Sequence, residues 1–393
     1  MEFNFETGSL LLLIAAVVAM LTRRLRLPYS VGLVVAGLAL AILPFAPKVG
    51  LTKDLIFTVL LPPLLFEAAL FIHWKELRRN FPVIVVLATF GLLLSAGVTA
   101  AGMHYLVHWP WLGALVFGVL IAATDPVSVI AIFKEAKAHG RLLVLIEAES
   151  LFNDGTAAVA FGVVVALASG QQLTPLEISS ILAKTIGGGV LCGGVVALGA
   201  LLLAGRTDDH LVEITVTTVA AYGSFLLAEH FGWSGVLATI TAGLVMGNFK
   251  SFGAISARGK EAVQAFWEYA AFIANSLIFL LIGMQEAHQN FAAIWIPALT
   301  AIALVTLGRA VAIYPCCLAF SGSSLRVTMK HQHVLFWGGL RGAVALALAL
   351  GLPSAVPQRE EIITISFAVV AFSVFVQGLT MVPFLRRMGE IPH

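Results

Sequence analysis

The chain has 393 residues, of which 60% are hydrophobic and 11% charged, and its mean hydropathy is +0.98. A water-soluble globule of this length needs more polar surface than this composition provides, so the surroundings of the protein are predicted to be largely lipid. The formal net charge of +2 is too small to suggest a nucleic-acid partner.

The apolar runs are long and continuous, which predicts membrane-spanning helices, because barrel strands alternate apolar and polar positions over roughly ten residues. Windows of about twenty residues, cut at charges and at Gly and Pro, give about thirteen spans. Their predicted ranges are 9–26, 29–44, 54–72, 80–106, 111–133, 142–168, 177–204, 211–229, 234–249, 264–286, 291–318, 330–351 and 362–386. The predicted fold class is therefore an all-α polytopic membrane protein.

The basic residues predict the orientation, because cytoplasmic connections carry an excess of Lys and Arg. Most of the 23 basic residues lie in alternate connections, namely Arg23, Arg24, Arg26, Lys75, Arg78, Arg79, Lys134, Lys137, Arg141, Arg206, Lys250, Arg258, Lys260, Arg326, Lys330, Arg386 and Arg387. The opposite connections hold Lys48, Lys53, Lys184 and Arg359. The protein is thus predicted to lie in the inner membrane with its N-terminus outside and its C-terminus in the cytoplasm. The first span lacks the features of a cleaved signal peptide and is predicted to be retained.

Two spans are predicted to be broken. Span five is interrupted at the run Thr124-Asp125-Pro126, and span twelve is loosened by Gly338, Gly339 and Gly342. Broken helices near the midplane are how secondary transporters expose backbone groups to an ion, whereas close helix packing is the alternative explanation for each glycine. An odd number of spans is also consistent with two six-helix halves joined by one linking helix. The single linking helix inverts the second half relative to the first in the membrane.

The densest polar cluster lies in span six. Ser150, Asn153 and Asp154 are spaced at i, i+3 and i+4 and therefore share one helix face. This face offers hydroxyl, amide and carboxylate oxygens, which suit a hard alkali cation, and the carboxylate can bind a proton instead. The alternative is that these groups only form hydrogen bonds between helices, but an acid inside a membrane is a costly way to make one.

Other buried charges have separate predicted roles. Pro126 disfavours helix at Asp125, which frees the Thr124 carbonyl for a cation while Asp125 balances a helix N-terminus; a capped proline kink is the plainer alternative. Glu67, in span three, is either a second acid of the site or a residue reaching toward the cytoplasmic end.

Two arginines lie inside predicted spans. Arg309, in span eleven, stays charged and needs an anion, for which Glu149 is the predicted partner. Arg341 is predicted to support the break in span twelve, and Glu147 is a less certain member of the acidic set. The cysteines Cys192, Cys316 and Cys317 show no metal or disulfide spacing and are predicted to pack among apolar side chains.

Together these motifs resemble the NhaP/NHE branch of the monovalent cation/proton antiporters. The resemblance spans nearly the whole chain and is carried, in family order, by Leu61-Pro62-Pro63 before Glu67, by Thr124-Asp125-Pro126, by the run from Glu149 to Gly155, by Gly308-Arg309-Ala310-Val311 and by Gly339-Leu340-Arg341-Gly342-Ala343.

The resemblance implies an antiporter fold like that of NhaA, with two inverted repeats of six helices, and a homodimer that works by an elevator-like motion. It assigns ion coordination to Glu67, the Thr124 carbonyl, Ser150 and Asp154, with Asp125 and Asn153 shaping the site and with Glu149 paired to Arg309. Asn153 stands where electrogenic relatives carry a second Asp, which implies electroneutral one-for-one exchange. Sodium and protons are the expected substrates, and no cofactor is expected.

The expected division of the chain follows from the same resemblance. Residues 1–106 hold helices 1–4 of the first repeat, with helices 1–3 used in dimerisation and Glu67 contributed from them. The remaining predicted units are core helices 5 and 6 in 107–168, linking helix 7 in 169–204, interface helices 8–10 in 205–290, and core helices 11–13 in 291–393.

Three other functions remain open at this point. Potassium or lithium could replace or accompany sodium, because the types of ligand alone do not determine which ion size the site selects. A cation channel would need a continuous polar path, whereas the acids cluster at one depth. An intramembrane aspartate protease would use Asp125 and Asp154, but no second motif supports it.

Overall fold

A computed structural model describes residues 5–25, 27–43, 51–136, 140–205, 209–248, 257–289, 291 and 294–391. Regular structure in these ranges is entirely helical, which confirms the predicted all-α class. Some predicted connection residues lie outside the described ranges, namely Arg26, Lys48, Lys137, Arg206 and Lys250. The predicted ends of the first, second and ninth spans lie outside them too.

The first part of the chain supplies seven helices to the described structure. They are α1 (Phe5–Leu25), α2 (Tyr29–Ile42), α3 (Leu55–Phe71), α4 (Trp74–Val107), α5 (Trp111–Leu120), α6 (Val127–Glu135) and α7 (Arg141–Ala168). The second part supplies α8 (Pro175–Ala204), α9 (His210–His230), α10 (Gly235–Asn248), α11 (Ala257–Glu286), α12 (Trp295–Leu318), α13 (Met329–Trp337), α14 (Ala343–Leu350) and α15 (Arg359–Met388). Within the described residues, eight helices are long and apolar enough to cross a membrane, namely α1, α4, α7, α8, α9, α11, α12 and α15.

Every predicted span overlaps one of these helices or one broken pair, but several boundaries were wrong. The basic residues Lys75, Arg78 and Arg79 were assigned to a connection, yet they lie in the first turns of α4. In the same way, α11 begins at Ala257, ahead of the predicted residue 264. Charged side chains end the apolar window but not the backbone hydrogen bonding, so a helix continues through them beyond the hydrocarbon layer.

Local polar signals fix several helix starts. Thr174 and Glu177 form a capping box at the start of α8, in which the Thr174 hydroxyl accepts from the Glu177 N–H. Asp209 and Thr328 cap α9 and α13 through their side-chain oxygens. These caps satisfy N–H groups that have no partner inside the helix.

Close approaches between helices divide the described bundle into two groups. One group contains α1, α2, α3, α8, α9, α10 and α11, and the other contains α4, α5, α6, α7, α12, α13, α14 and α15. Small residues bring helices together within a group. Gly37 of α2 and Gly283 of α11 each face backbone of the other helix, so an added side chain at either would meet it. Cys192, Cys316 and Cys317 are buried free thiols.

Candidate ion-binding site

Two interrupted helices meet near the centre of the second group, as the sequence predicted. The break between α5 and α6 contains Thr124 and Asp125, and the break between α13 and α14 contains Leu340. The Asp125 N–H donates to the Leu340 carbonyl across 2.7 Å, so the two unwound segments contact each other directly. This crossing leaves four helix ends, with their unpaired backbone groups, facing one small region.

Asp125 caps the two helices that begin at the crossing. Its Oδ1 accepts from the Val127 N–H at 3.1 Å, at the start of α6, and its Oδ2 accepts from the Ala343 N–H at 3.4 Å, at the start of α14. Helix N-termini carry partial positive charge, which one carboxylate balances for both helices here. The predicted role of Asp125 therefore has a geometry that suits it, although the sequence indicated only one of the two helices.

Gly342 is required at this crossing because its backbone lies against the Asp125 side chain. A Cβ atom at position 342 would collide with the Asp125 carboxylate. We therefore expect Gly342→Ala to push Asp125 away from the α14 N-terminus and to cost about 1–3 kcal/mol of stability, the usual range for overpacking.

Thermal unfolding in detergent and transport in proteoliposomes measure this effect. Gly162→Ala in α7 is the matched control, because a Cβ there meets nothing within 4 Å. Equal stability and transport in the two variants would show that the contact between Gly342 and Asp125 has no importance.

Arg341 interacts with the C-terminal end of a helix, whereas Asp125 interacts with helix N-termini. Its Nη1 donates to the carbonyls of Ala122, at 2.8 Å, and Ala123, at 3.2 Å, which follow the end of α5. The guanidinium is 2% exposed. The carbonyls at the C-terminal end of a helix carry partial negative charge, and a cation beside them balances that charge. Arg341 thus joins the two breaks, and its role in supporting the break of span twelve stays a prediction.

Helix α7 presents the polar residues of span six to the crossing. The Ser150 hydroxyl donates to the Thr124 carbonyl at 2.6 Å. The Asn153 amide contacts the Ala122 carbonyl and the Thr124 hydroxyl, each at 3.4 Å, and Glu149 Oε1 at 3.3 Å. Asn153 and Ser150 therefore both contact the broken helix, and Asn153 differs from Ser150 and Asp154 in that it does not line the cavity beside the crossing.

Asp154 and Asn153 each have one buried side-chain oxygen without a partner in the described structure, and of these two residues Asp154 is the one that lines the cavity. Its side chain is 9% exposed, and the buried Oδ1 makes no hydrogen bond within the described structure. A buried carboxylate oxygen without a donor is costly, which points to a ligand that binds there. Asp154 lines a cavity of about 430 Å³, together with Ser150, Asp125 and Glu67.

The cavity lies between the two helix groups. Ser150, Asp154 and Asp125 line it from the second group, whereas Glu67 lines it from α3 in the first. Thr124 is not part of the lining, and its carbonyl is reached through the Ser150 hydroxyl. The structure therefore gathers three of the four predicted ion ligands around one space and places the fourth directly behind Ser150.

Several polar residues of the cavity were missed or given little weight in the sequence. Helix α11 contributes Glu268 and Asn275, α2 contributes Tyr29 and Ser30, and α7 contributes Glu147. The signal for Asn275 was present, because a lone amide within an apolar span is a site candidate in its own right. Nothing local could indicate that α11 and α7 face the same space, because that depends on packing between distant segments.

Behind the cavity, Glu149 and Arg309 form a buried bidentate ion pair. The distances are 2.7 Å from Arg309 Nη1 to Glu149 Oε1 and 3.0 Å from Nη2 to Oε2. Nη2 also donates to the Leu335 carbonyl at 3.0 Å, near the end of α13. Glu149 is 2% exposed and Arg309 is 6% exposed. The pair therefore ties α7 to α12 and to α13, which places the partners as the sequence predicted.

The charges of the crossing nearly cancel. Three carboxylates, from Asp125, Glu149 and Asp154, face two guanidinium groups, from Arg309 and Arg341. One negative charge remains within the crossing, and Glu67, Glu147 and Glu268 add further carboxylates along the cavity. An acidic cavity of this kind suits small cations or protons.

Comparisons with known proteins identify the family to which the chain belongs. The family described as "Sodium/hydrogen exchanger, transmembrane" matches residues 10–387. The Na(+)/H(+) antiporter ApNhaP of Aphanothece halophytica is 41% identical over 93% of this chain and 70% of its own. The Na(+)/H(+) antiporter NhaH of Halobacillus aidingensis is 33% identical over 97% of this chain and 96% of its own.

The fold has a counterpart among solved structures. The sodium proton antiporter MjNhaP1 from Methanocaldococcus jannaschii matches with a TM-score of 0.75 and 21% identity, over 98% of this chain and 96% of that one. The family match and these relatives identify the protein as a membrane transporter rather than an enzyme. The chain belongs to the sodium/hydrogen exchanger family.

Proposed function

We propose that the protein exchanges sodium for protons across the membrane, with the Asp154 carboxylate binding one ion or the other. The observation that carries the proposal is the unpartnered Asp154 Oδ1, buried beside a cavity at the crossing of two broken helices. The names of the relatives support the choice of ions, because ApNhaP and NhaH are both called Na(+)/H(+) antiporters.

The proposed sodium ligands are oxygens from both sides of the cavity. Asp154 and Ser150 supply a carboxylate and a hydroxyl from α7, and Glu67 supplies a carboxylate from α3. The Thr124 carbonyl joins them when the Ser150 hydroxyl turns away from it. Hard cations take oxygen ligands in flexible arrangements, so this set suits sodium, with lithium as a second substrate.

The proposed motion moves the second helix group against the first, in an elevator-like cycle of a homodimer. The support is the position of the cavity, because its ligands are divided between the two groups. The crossing itself is tied internally by Asp125, Arg341 and the ion pair of Glu149 with Arg309, so it is built to move as one body. Alternating access requires a rigid carrier of this kind.

Proton flux in proteoliposomes tests the proposal directly. Purified protein is reconstituted with a pH-sensitive dye inside, and gradients of sodium, lithium and potassium are applied in turn. Sodium is expected to drive protons in the opposite direction, and lithium is expected to do so more weakly. Proton flux with potassium alone would identify a potassium/proton antiporter, and sodium flux without proton counterflow would identify a channel.

We further expect the exchange to be independent of membrane voltage. Asn153 is neutral, and of the acids that line the cavity we propose that Asp154 alone takes up and releases a proton during the cycle. One proton should therefore exchange for one sodium without net charge movement. Sodium-driven proton flux with the potential clamped by potassium and valinomycin should proceed at equal rates at zero and at a large potential. A voltage-dependent rate would show that Glu67 or Asp125 carries a second proton.

A further inference from the structure

One face of helix α11 forms part of the cavity wall and extends beyond the cavity. Glu268, Asn275 and Phe279 line the cavity, and their spacing of seven and four residues places them on one face of the helix. Glu286 follows Phe279 by seven residues on the same face, and it lies five full turns, or about 27 Å, from Glu268. The face that contacts the ion path therefore carries one acid beside the cavity, near the middle of the helix, and a second acid at the last residue of the helix.

The two acids differ sharply in their surroundings. Glu268 is exposed and lines the cavity, whereas Glu286 is 4% exposed and does not belong to the lining. Its Oε1 is buried without a hydrogen-bond partner in the described structure. An unpartnered carboxylate inside a membrane protein is costly and is more often retained for a role than for packing. The interactions assigned to the exchange so far do not use Glu286.

Glu286 lies outside the cavity. The cavity lining extends along α11 from Glu268 as far as Phe279, and Glu286 lies about two turns beyond Phe279. The opposite end of α11 carries Lys260, in a basic connection assigned to the cytoplasm. Glu286 therefore lies on the side of the membrane that the cavity does not reach in this conformation.

We propose that Glu286 is a cation-receiving carboxylate on the closed side of the transporter. When the second helix group moves along α11, the Asp154 site faces the far half of the same helix face, and Glu286 is uncovered there. Its carboxylate attracts and briefly coordinates a hydrated alkali cation that enters or leaves from that side. Glu268 has the equivalent position at the open side. This inference rests on the proposed alternating-access exchange.

The experiment compares the two sides of the membrane. Right-side-out and everted membrane vesicles, each loaded with a pH-sensitive dye, give the KM for sodium presented from either face. Glu286→Gln keeps the shape of the side chain and removes its charge. It should raise the KM for sodium about tenfold on the side that the cavity does not reach, which corresponds to about 1.4 kcal/mol, and leave the KM on the cavity side unchanged.

Glu268→Gln is the matched control, because it is the same substitution on the same helix face at the cavity. Its effect should appear on the cavity side alone. A wild-type protein without sodium-driven proton flux would refute the proposed function itself. Normal wild-type exchange with equal KM changes on both sides in Glu286→Gln, or with none on either side, would overturn the role of Glu286 alone.

A structural role of Glu286 would change stability or kcat and not the KM of one side. If Glu286→Gln does not fold, Glu286→Asp keeps the charge and moves it back by one methylene. A KM change confined to the far side in Glu286→Asp supports the inference, and equal KM values from both sides contradict it.

Discussion

Replacing Asp154 with Asn is expected to abolish sodium-driven proton flux, to the level of liposomes without protein. The substitution keeps the size of the side chain, but it removes the charge that binds sodium and the group that binds a proton. Asp154 is the acid whose buried Oδ1 has no partner beside the cavity, and Glu147, the other α7 acid of the lining, lies about two turns away along the helix. Losing the one site that both ions share stops both half-cycles of exchange.

The measurement needs evidence that the variant folds. Asp154→Asn should elute as a single species and unfold at or above the wild-type temperature, because it removes an unpartnered buried charge. Asp209→Asn is the matched control, since Asp209 caps α9 outside the cavity and Asn is an equally good cap. Asp209→Asn should retain wild-type exchange. Substantial flux through a folded Asp154→Asn protein would refute the assignment of Asp154.

The second large effect is expected at the Glu149 and Arg309 pair. Removing one partner leaves the other charge buried without compensation, which typically costs about 3–5 kcal/mol. Glu149→Gln and Arg309→Leu should each lower the unfolding temperature sharply. The double variant restores the charge balance of the crossing, so it should recover part of the loss, and the two single effects should be strongly non-additive.

An exposed pair provides the control for this double-mutant cycle. Arg359 contacts Glu360 at the start of α15, where the Glu360 side chain is 84% exposed. Exposed pairs contribute about 0–1 kcal/mol, so the cycle of Arg359→Leu with Glu360→Gln should show little coupling. If the losses from Glu149→Gln and Arg309→Leu simply add, the pair contributes no stability as a unit.

The same cycle separates a structural role from a transport relay. The pair lies behind Ser150 and Asn153 and is not part of the cavity lining. A structural pair predicts that transport in the double variant recovers together with stability. A relay predicts that transport stays lost in the double variant even when its unfolding temperature has recovered.

The sequence by itself determined the lipid surroundings, the helical class and the two broken spans. These features depend on local chemistry: apolar runs set the helices, and Pro126 and the glycines from Gly338 to Gly342 interrupt them through their own backbone preferences. The candidate acids also followed from the sequence, because any carboxylate in an apolar run is costly wherever the helix packs. The helix ends did not follow, as the first turns of α4 illustrate, because backbone hydrogen bonding continues through charged residues that hydropathy excludes.

Only the tertiary structure determined which of these residues lines the cavity and which supports the broken helices. Helical spacing placed Ser150, Asn153 and Asp154 on one face, but packing turned Asn153 toward the broken helix and left Asp154 at the cavity. Asp125 caps α14 as well as α6, although its carboxylate and the Ala343 N–H are 218 residues apart in the chain. The sequence also gave no indication that Glu268 of α11 lies in the opposite wall of the cavity. Such contacts depend on how helices that are distant in the sequence pack together. The residue pattern of one helix does not show which other helix lies against it.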